Sequence, residues 1–325
     1  MNPAPFLRGL AWAGGPGVPY PRADPADLDR LPADTGAAAR TPVGVRIELT
    51  GTASLVRIGY ETTTGDLGYR GPGAGTTFEA WDGEERIDRQ PAALGAGDVQ
   101  IRAAGPGRRT IVYLPEGMHP VVLGVEGVDG AVEAAAPQPR WLAYGDSIVE
   151  GWVASAPARA WPAVAGRRYG LDVVNVGYAG AARGEIPTAE QLAAVGADVI
   201  SVSYGTNCWS RTPHSAGMVH AGAAAFLDVL RQGHPHTPIV VTSPVLRPDA
   251  EATANRLGAT LEDLRAAIED AALARVAGGD AATYLVSGRE VLDAALLADG
   301  IHPGDEGHDI LAGVFGAPVA NSVEG

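Results

Sequence analysis

Apolar and polar positions follow two different rules along this chain. From residue 43 to 133 the apolar positions fall in short runs that partly alternate with polar ones: "VGVRIELTG", "ASLVRIGYETTT", "TTFEAWDG", "DVQIRAAG", "RRTIVYLP" and "HPVVLGVEGV". These runs are rich in Val, Ile, Thr and Tyr, with Gly- and Pro-containing turns between them. A period of two turns one face of each segment inward, which predicts short antiparallel strands stacked as an all-β sandwich, jelly-roll-like in class. The first forty residues carry much Pro, Ala and Asp and are expected to lie across that sandwich or to join its edge.

The rule changes after "AAAPQPR" (134–140), which reads as a linker. Continuous apolar runs now alternate with helix-like stretches. The strands are "WLAYG" (141–145), "DVVNVG" (172–177), "DVISVSYG" (198–205), "PIVVTSP" (238–244) and "TYLVS" (283–287). Between them lie "AWPAVAGRRYG", "AEQLAAVG", "AGAAAFLDVLRQG" and "LGATLEDLRAAIEDAALARVAG". Apolar strands joined by helical crossovers predict a parallel sheet covered on both faces. The expected organisation is a sandwich over residues 1–135, followed by an α/β domain over residues 136–325.

In such open sheets ligands bind beyond the carboxyl ends of the strands. Ser147 follows the first of these strands, Gly177 and Gly180 follow the second, and Asn207 follows the third. Ser147 lies in "AYGDSIVEGW" (143–152), whose Gly, Asp and Ser are also what an ordinary strand-to-helix turn prefers. A serine hydroxyl becomes a nucleophile only when a base takes its proton, and that base is usually a histidine steadied by a carboxylate. Of the seven histidines, His119, His234 and His302 precede proline. His302 stands out within "LADGIHPGDEGHDIL", because Asp299 three residues earlier can reach its ring across a short turn. His234-Pro-His236 reads as an exposed turn.

These segments resemble the conserved blocks of the SGNH, or GDSL, hydrolase superfamily. "YGDSIVEG" is similar to the first block, "NVGYAG" (175–180) to the second, "YGTNCW" (204–209) to the third and "DGIHP" (299–303) to the fifth, in family order. The resemblance implies a flavodoxin-like α/β/α domain with a five-stranded parallel sheet. It implies a catalytic triad of nucleophile Ser147, base His302 and orienting Asp299. It also implies an oxyanion hole formed by the Ser147 N–H, the Gly180 N–H and the Asn207 side chain, with Gly177 the weaker choice of glycine. Ester cleavage through a serine acyl-enzyme then needs neither metal nor organic cofactor. A sandwich placed before such a domain resembles two-domain carbohydrate esterases, which implies removal of a short acyl group, acetyl first, from a carbohydrate or related small molecule. Lysophospholipid or thioester hydrolysis, acyl transfer and non-catalytic glycan binding are the alternatives. The third block departs from the family pattern, with Cys208 where an aspartate is usual; Cys208 is given a structural part and no nucleophilic one.

Composition narrows the partners. The formal net charge is −14, so nucleic acid and anionic lipid surfaces are not expected to bind. One cysteine among 325 residues allows no internal disulfide, and the Pro- and Gly-broken start lacks the basic-then-apolar pattern of a signal peptide. No run of about 18 apolar residues could span a membrane. A cytoplasmic protein acting on a small ester is the expectation, and nothing in the pattern sets an oligomeric state. "GDEGHD" (304–309) brings together Asp305, Glu306, His308 and Asp309, and reads as an acidic helix start rather than a metal site. Trp152, Trp209 and Tyr178 lie next to the blocks and are candidates either for pocket lining or for core.

Overall fold

A computed structural model describes residues 1–15, 17–65 and 75–324. The period-two segments pair as strands β1 (Leu7–Arg8), β2 (Arg46–Gly51), β3 (Leu55–Thr62), β4 (Thr77–Asp82), β5 (Glu85–Pro91), β6 (Gly95–Arg102), β7 (Thr110–Tyr113), β8 (Pro120–Gly127) and β9 (Val132–Ala134). One antiparallel sheet runs β1-β2-β7-β4-β5, with β9 also on β2; the second runs β6-β3-β8. Alternation decides the packing. In β3, Val56, Ile58 and Tyr60 point inward while Arg57 and Glu61 face water. They meet Ile47, Leu49, Phe78, Ala80 and Val112 of the larger sheet, and this is the sandwich core.

The second half supplies β10 (Arg140–Gly145), β11 (Asp172–Gly177), β12 (Val199–Ser203), β13 (Ile239–Thr242) and β14 (Thr283–Val286). All four pairings are parallel, in the order β11-β10-β12-β13-β14. The helices are α1 (Ala33–Ala38), α2 (Ser147–Glu150), α3 (Trp161–Tyr169), α4 (Ile186–Ala193), α5 (Ala216–Gly233), α6 (Leu261–Ala277), α7 (Asp305–Val314) and α8 (Gly316–Glu324). Helices α4, α5 and α6 bury one face of the sheet through Leu192, Phe226 and Ile268. Helices α3, α7 and α8 bury the other through Val164, Leu311 and Val319. The chain leaves β10 toward β11 and returns past β10 to β12. That reversal opens a crevice at the carboxyl ends of β10 and β12.

Local chemistry sets the helix limits. The pattern placed the start of α6 near residue 257, yet it starts at Leu261. There Thr260 and Asp263 form a reciprocal capping box, with Asp263 N–H to Thr260 Oγ1 at 3.1 Å and Thr260 N–H to Asp263 Oδ2 at 2.9 Å.

The first forty residues divide between the two halves. β1 joins the sandwich edge, as expected. The stretch from Arg22 to Ala39 instead lies on the α/β half, where Ala23, Leu31 and Ala39 are buried with Leu142, Val174 and Tyr178. Small apolar side chains, rather than strand formers, fit it to that place. Elsewhere the halves meet through Trp81, Ile111 and Tyr113 against Ala158, Ala160 and Ala163. Buried Arg46 crosses the junction, donating to Asp172 Oδ1 at 2.6 Å and to Val173 O at 2.8 Å. His234 corrects the reading of an exposed turn. It follows the end of α5, is buried, and its Nε2 lies 3.0 Å from Leu192 O; His236 is exposed.

Candidate active site

Three connections leave the carboxyl edge of the sheet at one place. β10 ends at Gly145, and the chain turns through Asp146 into α2, whose first residue is Ser147. The Asp146 carboxylate accepts the Ile148 N–H at 3.0 Å and the Thr206 hydroxyl, so one buried acid ties the first connection to the third. Burial pushes the Asp146 carboxyl up to about 6, although those hydrogen bonds and the field of Arg247 act to lower it. Gly151 closes α2 at φ 94°, and a Cβ there would stand 2.4 Å from Ala160 Cβ. Only glycine fits that close approach.

His302 arrives from the far end of the chain. Asp299 Oδ1 accepts the N–H groups of Ile301 (3.0 Å) and His302 (2.7 Å), which folds the segment into a side-chain-closed turn. Ala298 N–H donates to His302 O at 2.8 Å and closes the turn from the other side. The second carboxylate oxygen, Oδ2, lies 2.7 Å from His302 Nδ1. Burial alone would raise the Asp299 carboxyl, but the hydrogen bonds from His302 and Ile301 prevail and hold it below the usual carboxylate range. The ionised carboxylate can only accept, so Nδ1 carries the proton and Nε2 is left as an acceptor. Ser147 Oγ lies 2.8 Å from that Nε2. Burial lowers the His302 pKa below the ordinary histidine value; Asp299 acts to raise it and Arg247 adds to the lowering. The imidazole is thereby kept neutral, in the form that can take a proton.

The remaining donors surround this pair. Gly180 turns at φ 70° with open space where a side chain would project, and its N–H donates to no other described residue. Gly177 differs, because its N–H is spent on Asn175 Oδ1 at 2.9 Å. Buried Asn207 uses one amide hydrogen on Ala182 O at 3.3 Å. Ser147, Gly180, Asn207 and His302 all line one open cleft of about 310 Å³, with Trp152, Ile301, Arg211 and Arg247 around it.

The model of the GDSL-like lipase/acylhydrolase family matches residues 143–310. The chain belongs to this family. No curated protein matches it by sequence. Its fold is similar to that of a salicylyl-acyltransferase from a tetracycline biosynthetic pathway, at 23% identity and TM-score 0.81, covering 95% of this chain and 92% of that one. It is also similar to a family two carbohydrate esterase from Clostridium thermocellum (14%, TM-score 0.67, 87% and 93% covered) and to an acetyl xylan esterase from the rumen bacterium Butyrivibrio proteoclasticus (14%, TM-score 0.64, 99% and 97% covered). Each of these likenesses extends over both halves of the chain. Among the described residues no helix is long and apolar enough to cross a membrane.

Among the other candidates Trp152 lines the cleft, and the rest take places outside it. Tyr178 is core, its hydroxyl donating to Arg22 O. Trp152 packs against the imidazole, its ring centroid 5.6 Å from that of His302, and Trp209 lies under Arg247. Cys208 is fully buried, and burial pushes its thiol up to about 12. Within "GDEGHD", Asp305 accepts from the Ser155 N–H and hydroxyl, Asp309 pairs with Arg168, and His308 is buried between Trp161 N–H and Trp152 O.

Sequence reasoning missed the support beneath the second connection. Glu150 Oε2 accepts the Ala179 N–H at 3.0 Å and pairs with buried Arg22 at 3.2 Å. Arg22 also donates to Gly177 O. Asn175 links the same region, its Nδ2 donating to Val149 O at 2.8 Å. Glu150 sits inside a recognised block and could have been flagged there; nothing local marks Arg22.

Proposed function

We propose that this acylhydrolase cleaves carboxylic esters with Ser147 as nucleophile, His302 as base and then acid, and Asp299 as the group that fixes the imidazole. The observation that carries this reading is the continuous chain from Ser147 Oγ through His302 to Asp299, at 2.8 and 2.7 Å. The Ser147 proton passes to Nε2 as Oγ bonds to the ester carbonyl carbon. The oxyanion is met by the N–H groups of Ser147 and Gly180 and by the Asn207 amide. Collapse breaks the bond to the alcohol, which leaves with the proton from His302. Water, deprotonated by the same imidazole, then releases the acid and restores the serine.

The substrate we assign is a short acyl ester, acetyl first, of a carbohydrate or similar small molecule. Support comes from the shared two-part architecture with carbohydrate esterases and from the modest, open cleft. In this reading residues 1–135 form the sandwich domain and 136–325 the catalytic one. Acyl transfer to another alcohol is the second reading, favoured by the full-length likeness to an acyltransferase. The test is p-nitrophenyl acetate turnover by the protein and by Ser147→Ala. Loss of turnover in the variant is expected; equal rates in the two proteins would overturn the assignment. An acyl-chain series separates short-chain esterase from lipase, and added sugar alcohols reveal transfer as new ester rather than free acid.

A further inference from the structure

The charged residues that line the cleft differ in sign from the molecule as a whole. The chain has a formal net charge of −14, yet no Asp or Glu is among the residues lining the cleft, and two arginines are. Other arginines of this half are matched to carboxylates: Arg183 to Asp34, Arg231 to Asp280, Arg265 to Glu251 and Arg275 to Asp228. Arg211 is exposed at the rim and has no hydrogen-bond or ion-pair partner among the described residues. Arg247 is held in place. Its Nε and Nη2 donate to Asp249 at 2.9 and 3.1 Å, and its guanidinium carbon sits 4.9 Å from the Trp209 ring centroid. Its Nη1 donates to no described residue. The field of Arg247 reaches both Asp146 and His302, which places this cation beside the reacting groups.

We propose that the substrate is an ester bearing an anionic group, a carboxylate or a phosphate, which Arg211 and Arg247 hold while Ser147 attacks. The proposal rests on the ester-cleavage reading and narrows its substrate class. A neutral acetylated sugar leaves the Arg211 guanidinium and the free Nη1 of Arg247 without an anionic acceptor. An oxyanion substituent supplies that acceptor and suits the planar, multi-donor guanidinium. Arg247, stacked and anchored, is the preorganised half of the clamp. Arg211, exposed and unpaired, is the half that closes on the ligand.

The experiment compares kcat/KM for anionic and neutral probes of matched shape. Para-acetoxybenzoate and para-acetoxyphenyl phosphate, each against methyl para-acetoxybenzoate, place the anion on the alcohol side. P-nitrophenyl hydrogen succinate against p-nitrophenyl butyrate places it on the acyl side. Each anionic-to-neutral ratio is read in the wild type and again in Arg211→Gln and Arg247→Gln, so that intrinsic reactivity cancels. The ratio for the preferred anion is expected to fall about threefold in Arg211→Gln, an exposed group, and roughly tenfold in Arg247→Gln. Arg247→Lys, which keeps the charge but loses the fork and the stacking, should restore only part of the preference, and added salt should weaken it. The probe with the largest fall identifies carboxylate or phosphate and the side of the ester that bears it. Ratios unchanged by both Gln variants across every probe would overturn the proposal. A wild type inactive on all probes would overturn the ester reading instead. Calorimetric binding of para-hydroxybenzoate and phenyl phosphate, weakened or not by Arg211→Gln and Arg247→Gln, then decides the anion site separately.

Discussion

The basicity of His302, the proposed base, is set by three influences pulling in different directions. Burial and the Arg247 cation lower its pKa, while Asp299 raises it. The base must be neutral, so activity falls as pH drops through the His302 pKa, and the acid limb of kcat/KM is expected below the ordinary histidine value of about 6.5. Removing the cation in Arg247→Gln should move that limb to higher pH. Asp146 titrates near the same range, at about 6, so the comparison is best made in an Asp146→Asn background. A limb that stays put in Arg247→Gln would show that the guanidinium does not act on the base. Asn207 gives a second residue-scale test: losing one oxyanion donor costs roughly 3 kcal/mol in the transition state, so Asn207→Ala should lower kcat about a hundredfold with little change in KM. Unchanged kcat would remove Asn207 from the oxyanion hole.

At the scale of elements, the loop carrying Gly180 is fixed from beneath by Glu150 and Arg22 rather than by its own sequence. Breaking a buried ion pair leaves an uncompensated charge and costs about 3–5 kcal/mol. Arg22→Met is therefore expected to lower unfolding stability by that order in a denaturant titration and to reduce kcat as the loop loses its position. Stability equal to wild type would mean that the pair supports nothing. This link also shows where the sequence stops being readable. The strand of Val56, Ile58 and Tyr60 announces itself by alternation, and Ser147, Asn207 and His302 by block spacing and order. β5, "ERIDRQP", is a charged, largely exposed edge strand with Ile87 as its one strongly apolar side chain, so no periodicity marks it. His234 was obscured by its proline, because a histidine buried at a helix end looks the same in sequence as one in a surface turn. Arg22 pairs with a residue 128 positions away, and no local pattern encodes such a partner.

For the whole molecule, the junction between the halves predicts how they depend on each other. A fragment of residues 136–325 would lose Arg46 from Asp172 and Arg22 from Glu150. It would also lose Trp81, Ile111 and Tyr113 from Ala158, Ala160 and Ala163, and Ala23 and Leu31 from the sheet cover. Exposed apolar surface and a buried unpaired carboxylate together should make it aggregate or lose fixed tertiary packing, read by gel filtration and near-UV circular dichroism. A monomeric fragment with a native near-UV signal would refute this dependence.

The clasp between Arg22 and Glu150 also orders events during synthesis. Arg22 is translated early and has local acceptors at Ala38 and Thr41, but those at Glu150 and Gly177 emerge from the ribosome only after the intervening strands, so this early segment cannot take its final place until then. Contacts of such long sequence separation form late and slow folding. Ser147 and His302 are themselves 155 residues apart. Enzymatic turnover in a nascent-chain or refolding experiment should thus be among the last signals to appear, well after backbone structure has been regained.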